Sequence, residues 1–187
     1  LAQVIAYTGA GALLSYILAS WGGALWDDRF DAADLALGLD WRAYLVWLNG
    51  RPLLGQVLQA SYLTLMPQMI LAVVLLGFSG RIAALRVFVA ATILSGVACI
   101  VISGAMPAMG TFVHYGLGPT DYPNLTPAAS FLHVADLQAL RDGSMTILSL
   151  SDAQGIITFP SYHAALAVIF AASFWQVRPL RLPGAAL

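Results

Sequence analysis

Four long apolar stretches, separated by polar connections, dominate the pattern of hydrophobic and polar positions along the chain. They cover residues from about 1 to 25, 53 to 78, 87 to 106 and 160 to 177, and a further apolar segment begins near Leu182. A helix needs about 20 predominantly apolar residues to cross a bilayer, and each stretch has nearly that length or more. The pattern therefore predicts an all-α, polytopic bundle of transmembrane helices, with a possible fifth span near the end of the chain.

Two spans carry residues that predict how the helices pack. The second span contains Pro67, which is expected to kink it, and its Gln residues (Gln56, Gln59 and Gln68) are expected to face neighbouring helices because they are costly in lipid. In the third span, Gly96 and Gly104 offer small surfaces for close helix contact.

Composition strengthens the membrane interpretation. Hydrophobic residues make up 60% of the chain, charged residues make up 9%, and the mean hydropathy is +0.82, whereas soluble domains carry about 25% charged residues. The net charge of −1 gives no basic field that would suit nucleic acid. Because the chain starts without Met and stops in an apolar segment, we expect a single integral membrane domain over residues 1–187 that is truncated at its C-terminal end.

Arginine in the short connections predicts the orientation of the spans. Arg81 and Arg86 bracket the link between spans two and three, and Arg178 and Arg181 follow span four. Neither link contains an acidic residue, so both are expected to be cytoplasmic by the positive-inside rule. The chain is then a multi-pass protein of the cell membrane, and the fourth span starts on the extracytoplasmic side.

The two external connections are expected to be structured. Residues 30–49 alternate bulky apolar residues with charged ones, which predicts a helix lying in the membrane interface. In the longer connection, a helix is expected from Thr126 and Pro127 to Arg141, followed by a hairpin formed by residues 146–150 and 155–159. A long structured loop of this kind usually serves a binding or catalytic site.

The peptide FPSYHAA at 159–165 carries the candidate chemistry. Pro160 lacks an N–H and fits a first helical position, which leaves the N–H groups of Ser161, Tyr162 and His163 without intrahelical partners. Such a helix end attracts phosphate through its free donors and its dipole. The Ser161 hydroxyl adds a hydrogen bond, and His163 is placed to exchange a proton with a bound phosphoester.

These residues resemble the Pro-Ser-x-His motif of the type 2 phosphatidic acid phosphatase superfamily. The wider stretch GIITFPSYHAALAVIF resembles the branch that includes inositol phosphorylceramide synthases and related bacterial proteins, and DAADLALGLDW at 31–41 is similar to the bacterial members of that branch. The resemblance implies a lipid phosphatase or phosphotransferase that acts on a lipid phosphate or phospho-headgroup at the outer leaflet, with no metal or cofactor. It implies that His163 protonates the leaving alcohol and that Ser161 and the neighbouring amides hold the phosphate.

Two motifs of that superfamily are missing from the sequence. The resemblance implies a second His, in a His-x-x-x-Asp arrangement, as the nucleophile that forms a phosphohistidine, and no such arrangement occurs up to Leu187. The first motif, a Lys followed by Arg-Pro, is also absent, and its region near residues 107–115 offers only His114 as a cation. His114 and Arg141 are therefore candidate phosphate-binding residues, although an interfacial position for His114 and solvation or an ion pair for Arg141 stay open.

Other interpretations also stay open. One alternative is a catalytically inactive relative, and another is a transporter whose span-two Gln residues line a polar path. Transport is less favoured, because the spans lack charged residues and the sequence lacks obvious inverted repeats. The acidic residues between Asp27 and Asp34 read as a solvated edge, because they lack the ligand spacing of a cation loop. His133 and Asp136 are expected to pair on one helix face. The substrate lipid and the oligomeric state are left undetermined.

Overall fold

The computed structural model describes residues 2–127, 129–149 and 153–175, and these residues form ten helices and no strand. In chain order the helices are α1 (Ala2–Ala19), α2 (Asp27–Ala36), α3 (Trp41–Asn49), α4 (Pro52–Leu63), α5 (Leu65–Phe78), α6 (Ile82–Ala105), α7 (Thr111–His114), α8 (Ala129–Leu132), α9 (Val134–Arg141) and α10 (Tyr162–Trp175). The predicted all-α class is thus confirmed for the described part of the chain. The possible fifth span near Leu182 lies outside the described residues.

One described helix, α6, is long and apolar enough to cross a bilayer by its length and composition. The pair α4 and α5 would be a second span if it is one broken helix, since the two are bent by 57° at a short break. The apolar part of α1, Ala6–Ala19, and α10 are shorter than a full span in the described residues. The four-span bundle therefore stays a prediction.

The bend in the second apolar stretch has a clear local cause. Pro67 has no N–H to donate to the carbonyl of Leu63, and its ring crowds that carbonyl, so the helix breaks at Thr64 as the sequence predicted. The Gln68 side-chain amide donates to the Ser61 carbonyl at 3.1 Å and to the Thr64 hydroxyl at 3.0 Å. This side chain thus satisfies polar groups freed by the break, and the expectation that the three Gln residues face neighbouring helices stays a prediction.

Helix α10 is fixed by an apolar core that it shares with α5 and α6. The buried members are Ala72, Leu76, Phe88, Leu166, Phe170 and Phe174. The rings of Phe88 and Phe170 stack with their centroids 5.9 Å apart, so α6 and α10 are in close van der Waals contact. This core sets the position of the α10 start relative to the rest of the molecule.

Helix α1 packs along α6 at the two glycines that the sequence singled out. A Cβ atom at Gly104 would lie 2.9 Å from the Leu18 Cβ, and one at Gly96 would lie 1.7 Å from the Tyr7 hydroxyl oxygen. The predicted role of Gly96 and Gly104 in close helix contact is confirmed, because a Cβ at Gly104 would require α1 to shift and a Cβ at Gly96 would require the Tyr7 ring or α1 to move.

The single interfacial helix predicted over residues 30–49 is wrong, since the chain forms α2 and α3 with a break between them. Gly38 adopts φ +77°, a left-handed conformation that ends α2, and the Asp40 carboxylate accepts the N–H of Ala43 at 2.9 Å as the N-cap of α3. The turn and cap residues at this point outweigh the continuous apolar pattern.

The long external connection also differs from its prediction. The helix expected to reach Arg141 does end there, ahead of Gly143 at φ +78°, but it is divided at His133 into α8 and α9. The predicted hairpin is wrong, since residues 144–149 and 153–158 form no strand, while 150–152 lie outside the described residues. Its second arm bonds to another segment instead: the Thr158 hydroxyl donates to the Ala108 carbonyl at 2.7 Å.

Candidate functional site

Ser161 is the N-cap of α10. Its carbonyl accepts the N–H of Ala165 at 3.2 Å, and its hydroxyl oxygen accepts the N–H of Ala164 at 3.2 Å. The helix thus begins at Tyr162, and the expectation that Pro160 is its first residue is wrong by two positions. A hydroxyl that accepts one hydrogen bond still has its own hydrogen to donate, so Ser161 can cap the helix and bind a ligand oxygen together.

Two backbone donors at this helix start have no partner within the described part of the chain. They are the N–H groups of Tyr162 and His163, which occupy the first two helical positions. Both point out of the end of a 14-residue helix, where its dipole is positive. Together with the Ser161 hydroxyl they form a set of three donors suited to a phosphate group.

The Tyr162 side chain contributes to position rather than to this donor set. Its hydroxyl donates to the carbonyl of Thr92 on α6 at 3.0 Å and lies beside the hydroxyl of Tyr7. Gly96 leaves the space in which these two tyrosines meet. The predicted phosphate-binding role of Tyr162 therefore rests on its backbone N–H, and its side chain ties the start of α10 to α6.

The His163 ring stacks on Tyr62 of α4. The ring centroids are 4.2 Å apart and the planes are tilted by 11°. The imidazole is exposed, and neither of its nitrogens has a hydrogen-bond partner among the described residues. Stacking thus restricts the ring without using the nitrogen atoms, which stay available to a ligand.

A cavity of about 1010 Å³ opens beside this helix start, and Ser161, Tyr162 and His163 belong to its wall. The other polar side chains of the wall are Tyr7, Thr8, Ser15, Tyr62, Thr111, Ser130, His133, Gln154 and Thr158. Its described wall holds two imidazoles and many hydroxyls but neither Arg nor Asp. The cavity is large enough for a headgroup-sized ligand and offers hydrogen bonds rather than fixed charge.

His114 and Arg141 lie outside this wall. The two ring nitrogens of His114 face Asp28 and Asp31, each at 3.6 Å. Arg141 donates to the carbonyl of Gly23 and not to either nearby Asp residue. The structure therefore does not bring these two residues to the helix start, and their phosphate-binding role stays a prediction.

The sequence interpretation did not predict that Tyr62 and His133 lie in the wall. Tyr62 lies in an apolar run and gives no signal of its contact with His163. His133 is only 3% exposed, and its Nε2 lies 2.8 Å from the Met109 carbonyl oxygen. The expected pairing of His133 with Asp136 is wrong, because Asp136 accepts the Tyr16 hydroxyl at 2.6 Å instead.

The acidic residues near the start of α2 have structural contacts of their own. Asp27 accepts the N–H groups of Met109 and Gly110, each at 2.9 Å. Asp31 accepts the Tyr115 hydroxyl, and this bond raises the pKa of Tyr115 to about 12. Within the described ranges, no group of three His, Cys, Asp or Glu side chains is arranged to hold a metal ion.

Comparison with known proteins places the chain in a family. The sequence profile described as the PAP2 superfamily matches residues 29–187, which include the whole start of α10. The chain belongs to the PAP2 superfamily. No curated protein and no solved structure matches it. Membership of the PAP2 superfamily supports a phosphatase-type enzyme, and the match names the superfamily without assigning a branch of it.

Proposed function

We propose that this PAP2 superfamily member is a membrane lipid phosphatase or phosphotransferase that binds the phosphate of its substrate at the start of α10. The observation that carries the proposal is the convergence of three free donors and the His163 imidazole on one cavity wall. Family membership supports the same chemistry independently of this geometry. Hydrolysis and transfer differ only in whether water or an alcohol takes up the phosphoryl group.

Each residue of the helix start has a proposed role. The Ser161 hydroxyl and the N–H groups of Tyr162 and His163 hold the phosphate oxygens. The His163 ring protonates the oxygen of the leaving alcohol, and its stacking on Tyr62 at 4.2 Å orients the ring for this transfer. No His followed four residues later by Asp occurs between Leu1 and Leu187, so none of the three His residues of this sequence is assigned as the nucleophile of the proposed phosphohistidine.

A membrane location is proposed from the surface of the apolar helices. Large apolar side chains stand exposed on α4, α5, α6 and α10, among them Leu53, Phe78, Val87, Leu94 and Val168. Such an extended apolar surface is suited to lipid rather than to water. With the Arg81 link on the cytoplasmic side, the start of α10 lies at the opposite, extracytoplasmic face, where it meets the outer leaflet.

The proposal is tested by phosphate release from phosphatidic acid in proteoliposomes that contain the full-length protein. We expect turnover that orthovanadate inhibits, and a loss of about 10²–10⁴-fold in kcat for His163→Ala, as for removal of a general acid. Ser161→Ala should raise KM, whereas Ser20→Ala, which removes an exposed hydroxyl bonded to its own helix, should match the wild type. Full activity in His163→Ala would refute the assignment.

A further inference from the structure

His133 is a buried imidazole that the proposed reaction does not use. It lies between α8 and α9, is 3% exposed, and forms part of the same cavity wall as His163. Its Nε2 is 2.8 Å from the carbonyl oxygen of Met109. Because a carbonyl oxygen only accepts hydrogen bonds, Nε2 must carry a hydrogen and donate it.

This bond determines the character of the other ring nitrogen. In a neutral imidazole with its hydrogen on Nε2, Nδ1 is a hydrogen-bond acceptor, and no described residue donates to it. Among the described residues, the side-chain polar atoms that are buried without a hydrogen-bond partner are Thr92 Oγ1 and Arg141 Nη1. Nδ1 of His133 is not one of them, so this unpaired atom is not completely buried. His133 belongs to the cavity wall, so the cavity is the space from which a ligand can reach this unpaired acceptor.

The Met109 carbonyl that orients His133 is itself held firmly. The Asp27 carboxylate accepts the N–H groups of Met109 and Gly110 at 2.9 Å each. On the other side, the Thr158 hydroxyl donates to the Ala108 carbonyl at 2.7 Å. The segment from 108 to 110 is thus fixed by α2 and by the chain just before α10, and the tautomer and direction of His133 are fixed with it.

We infer that His133 Nδ1 binds a hydroxyl group of the ligand in the cavity whose wall also holds His163, an inference that rests on the proposed function. An ionised phosphate oxygen is an acceptor and does not complement this nitrogen, whereas an alcohol O–H does. The hydroxyl belongs either to the lipid phosphate itself or to the alcohol that takes up the phosphoryl group.

Two substitutions separate this role from a merely structural one. His133→Gln keeps an amide N–H near the position of Nε2, and so keeps the bond to Met109, but removes the acceptor at Nδ1. His133→Asn places its carbonyl oxygen near Nδ1 but does not reach Met109. A structural role predicts that Gln replaces His without effect, whereas hydroxyl binding predicts that Gln fails and that Asn, although less stable, retains ligand preference.

The test uses the full-length protein with two lipid probes, one of which has a free hydroxyl where the other has an acyl ester, and compares how His133 variants change the preference between them. Lysophosphatidic acid has a free glycerol hydroxyl and phosphatidic acid has none, and their KM values and binding are compared. Binding is measured by tryptophan fluorescence, since Trp41 lies in the cavity wall. A second arm measures the ratio of phosphoryl transfer to added glycerol over hydrolysis, with phosphatidic acid as donor.

One hydrogen bond to a neutral acceptor corresponds to about fivefold to tenfold in affinity. If the hydroxyl is on the donor lipid, His133→Gln should lower the preference for lysophosphatidic acid over phosphatidic acid by that factor. If the hydroxyl is on the acceptor alcohol, His133→Gln should lower the ratio of phosphoryl transfer to hydrolysis by that factor. Unchanged values in both arms would overturn the inference while leaving the proposed function intact. Binding that shows the preference in a protein without turnover would instead refute the proposed function and support the hydroxyl site.

Discussion

Gly96 is the position at which a single methyl group tests the packing that supports the candidate site. In Gly96→Ala the new Cβ would lie 1.7 Å from the Tyr7 hydroxyl oxygen, 2.6 Å from Tyr7 Cζ and 3.2 Å from Tyr162 Cε2. Contact distances of about 3.5 Å are needed, so α1 or the Tyr7 ring must move by nearly 2 Å. The Tyr162 side chain, which ties α10 to Thr92, would move with them.

The expected cost follows from two opposing contributions. Overpacking of this kind costs about 1–3 kcal/mol, and we take the upper end because the overlap is large. Replacement of Gly by Ala inside a helix stabilises the helix by about 1 kcal/mol. The net loss should be about 2 kcal/mol, or a Tm lower by about 4–8 °C for a chain of this size.

The assay is thermal unfolding of the purified protein in detergent, followed by circular dichroism, with Gly9→Ala as the matched control. Gly9 is also helical, and a Cβ there meets nothing within 4 Å, so Gly9→Ala should be neutral or stabilising. In the double variant with Tyr7→Leu, the penalty at Gly96 should largely disappear. A Gly96→Ala variant as stable as the Gly9→Ala variant would refute the proposed packing of α1 on α6.

Two further predictions concern the external segments. Asp27→Ala leaves the backbone N–H groups of Met109 and Gly110 without a partner, and each should lower the free energy of unfolding, measured by chemical denaturation, by about 1–3 kcal/mol. Asp28→Ala, which replaces a side chain that is 95% exposed, should lower it little. Equal effects of the two substitutions would contradict the hydrogen-bond assignment. The hydrogen bond to Asp31 raises the pKa of Tyr115 from 10.0 to about 12, so its stabilisation is full below about pH 10 and is lost as the pH rises towards about 12. Tyr115→Phe should therefore flatten the alkaline loss of stability in denaturation midpoints over that range, and an unchanged pH dependence would refute the assignment.

The sequence predicted those parts of the fold that depend on local pattern. The apolar runs indicated helices, Pro67 indicated the bend, and Gly96 and Gly104 indicated the close packing of α1 on α6. The wrong predictions arose where turn and capping residues interrupt a continuous apolar pattern. Gly38 and the capping side chain of Asp40 divide a continuous amphipathic pattern into two helices, an effect that apolar periodicity alone does not register.

The candidate site was predictable to the extent that it lies in one peptide. Ser161 and His163 follow from the start of an apolar helix, although the helix begins at Tyr162 and not at Pro160. His133 and Tyr62 were not predictable, because their places in the cavity wall depend on contacts between residues far apart in the chain. An imidazole bonded to a backbone carbonyl leaves no pattern in the sequence.

The most direct test of the central claim is titration of the purified full-length protein with orthovanadate, measured by calorimetry. Vanadate resembles a phosphoryl group in transfer, so it should occupy the donors at the start of α10. We expect one binding site whose affinity falls about tenfold or more in Ser161→Ala and in His163→Ala, and is unchanged in Ser20→Ala. Equal vanadate affinity in all four proteins would contradict the claim that the start of α10 binds phosphate.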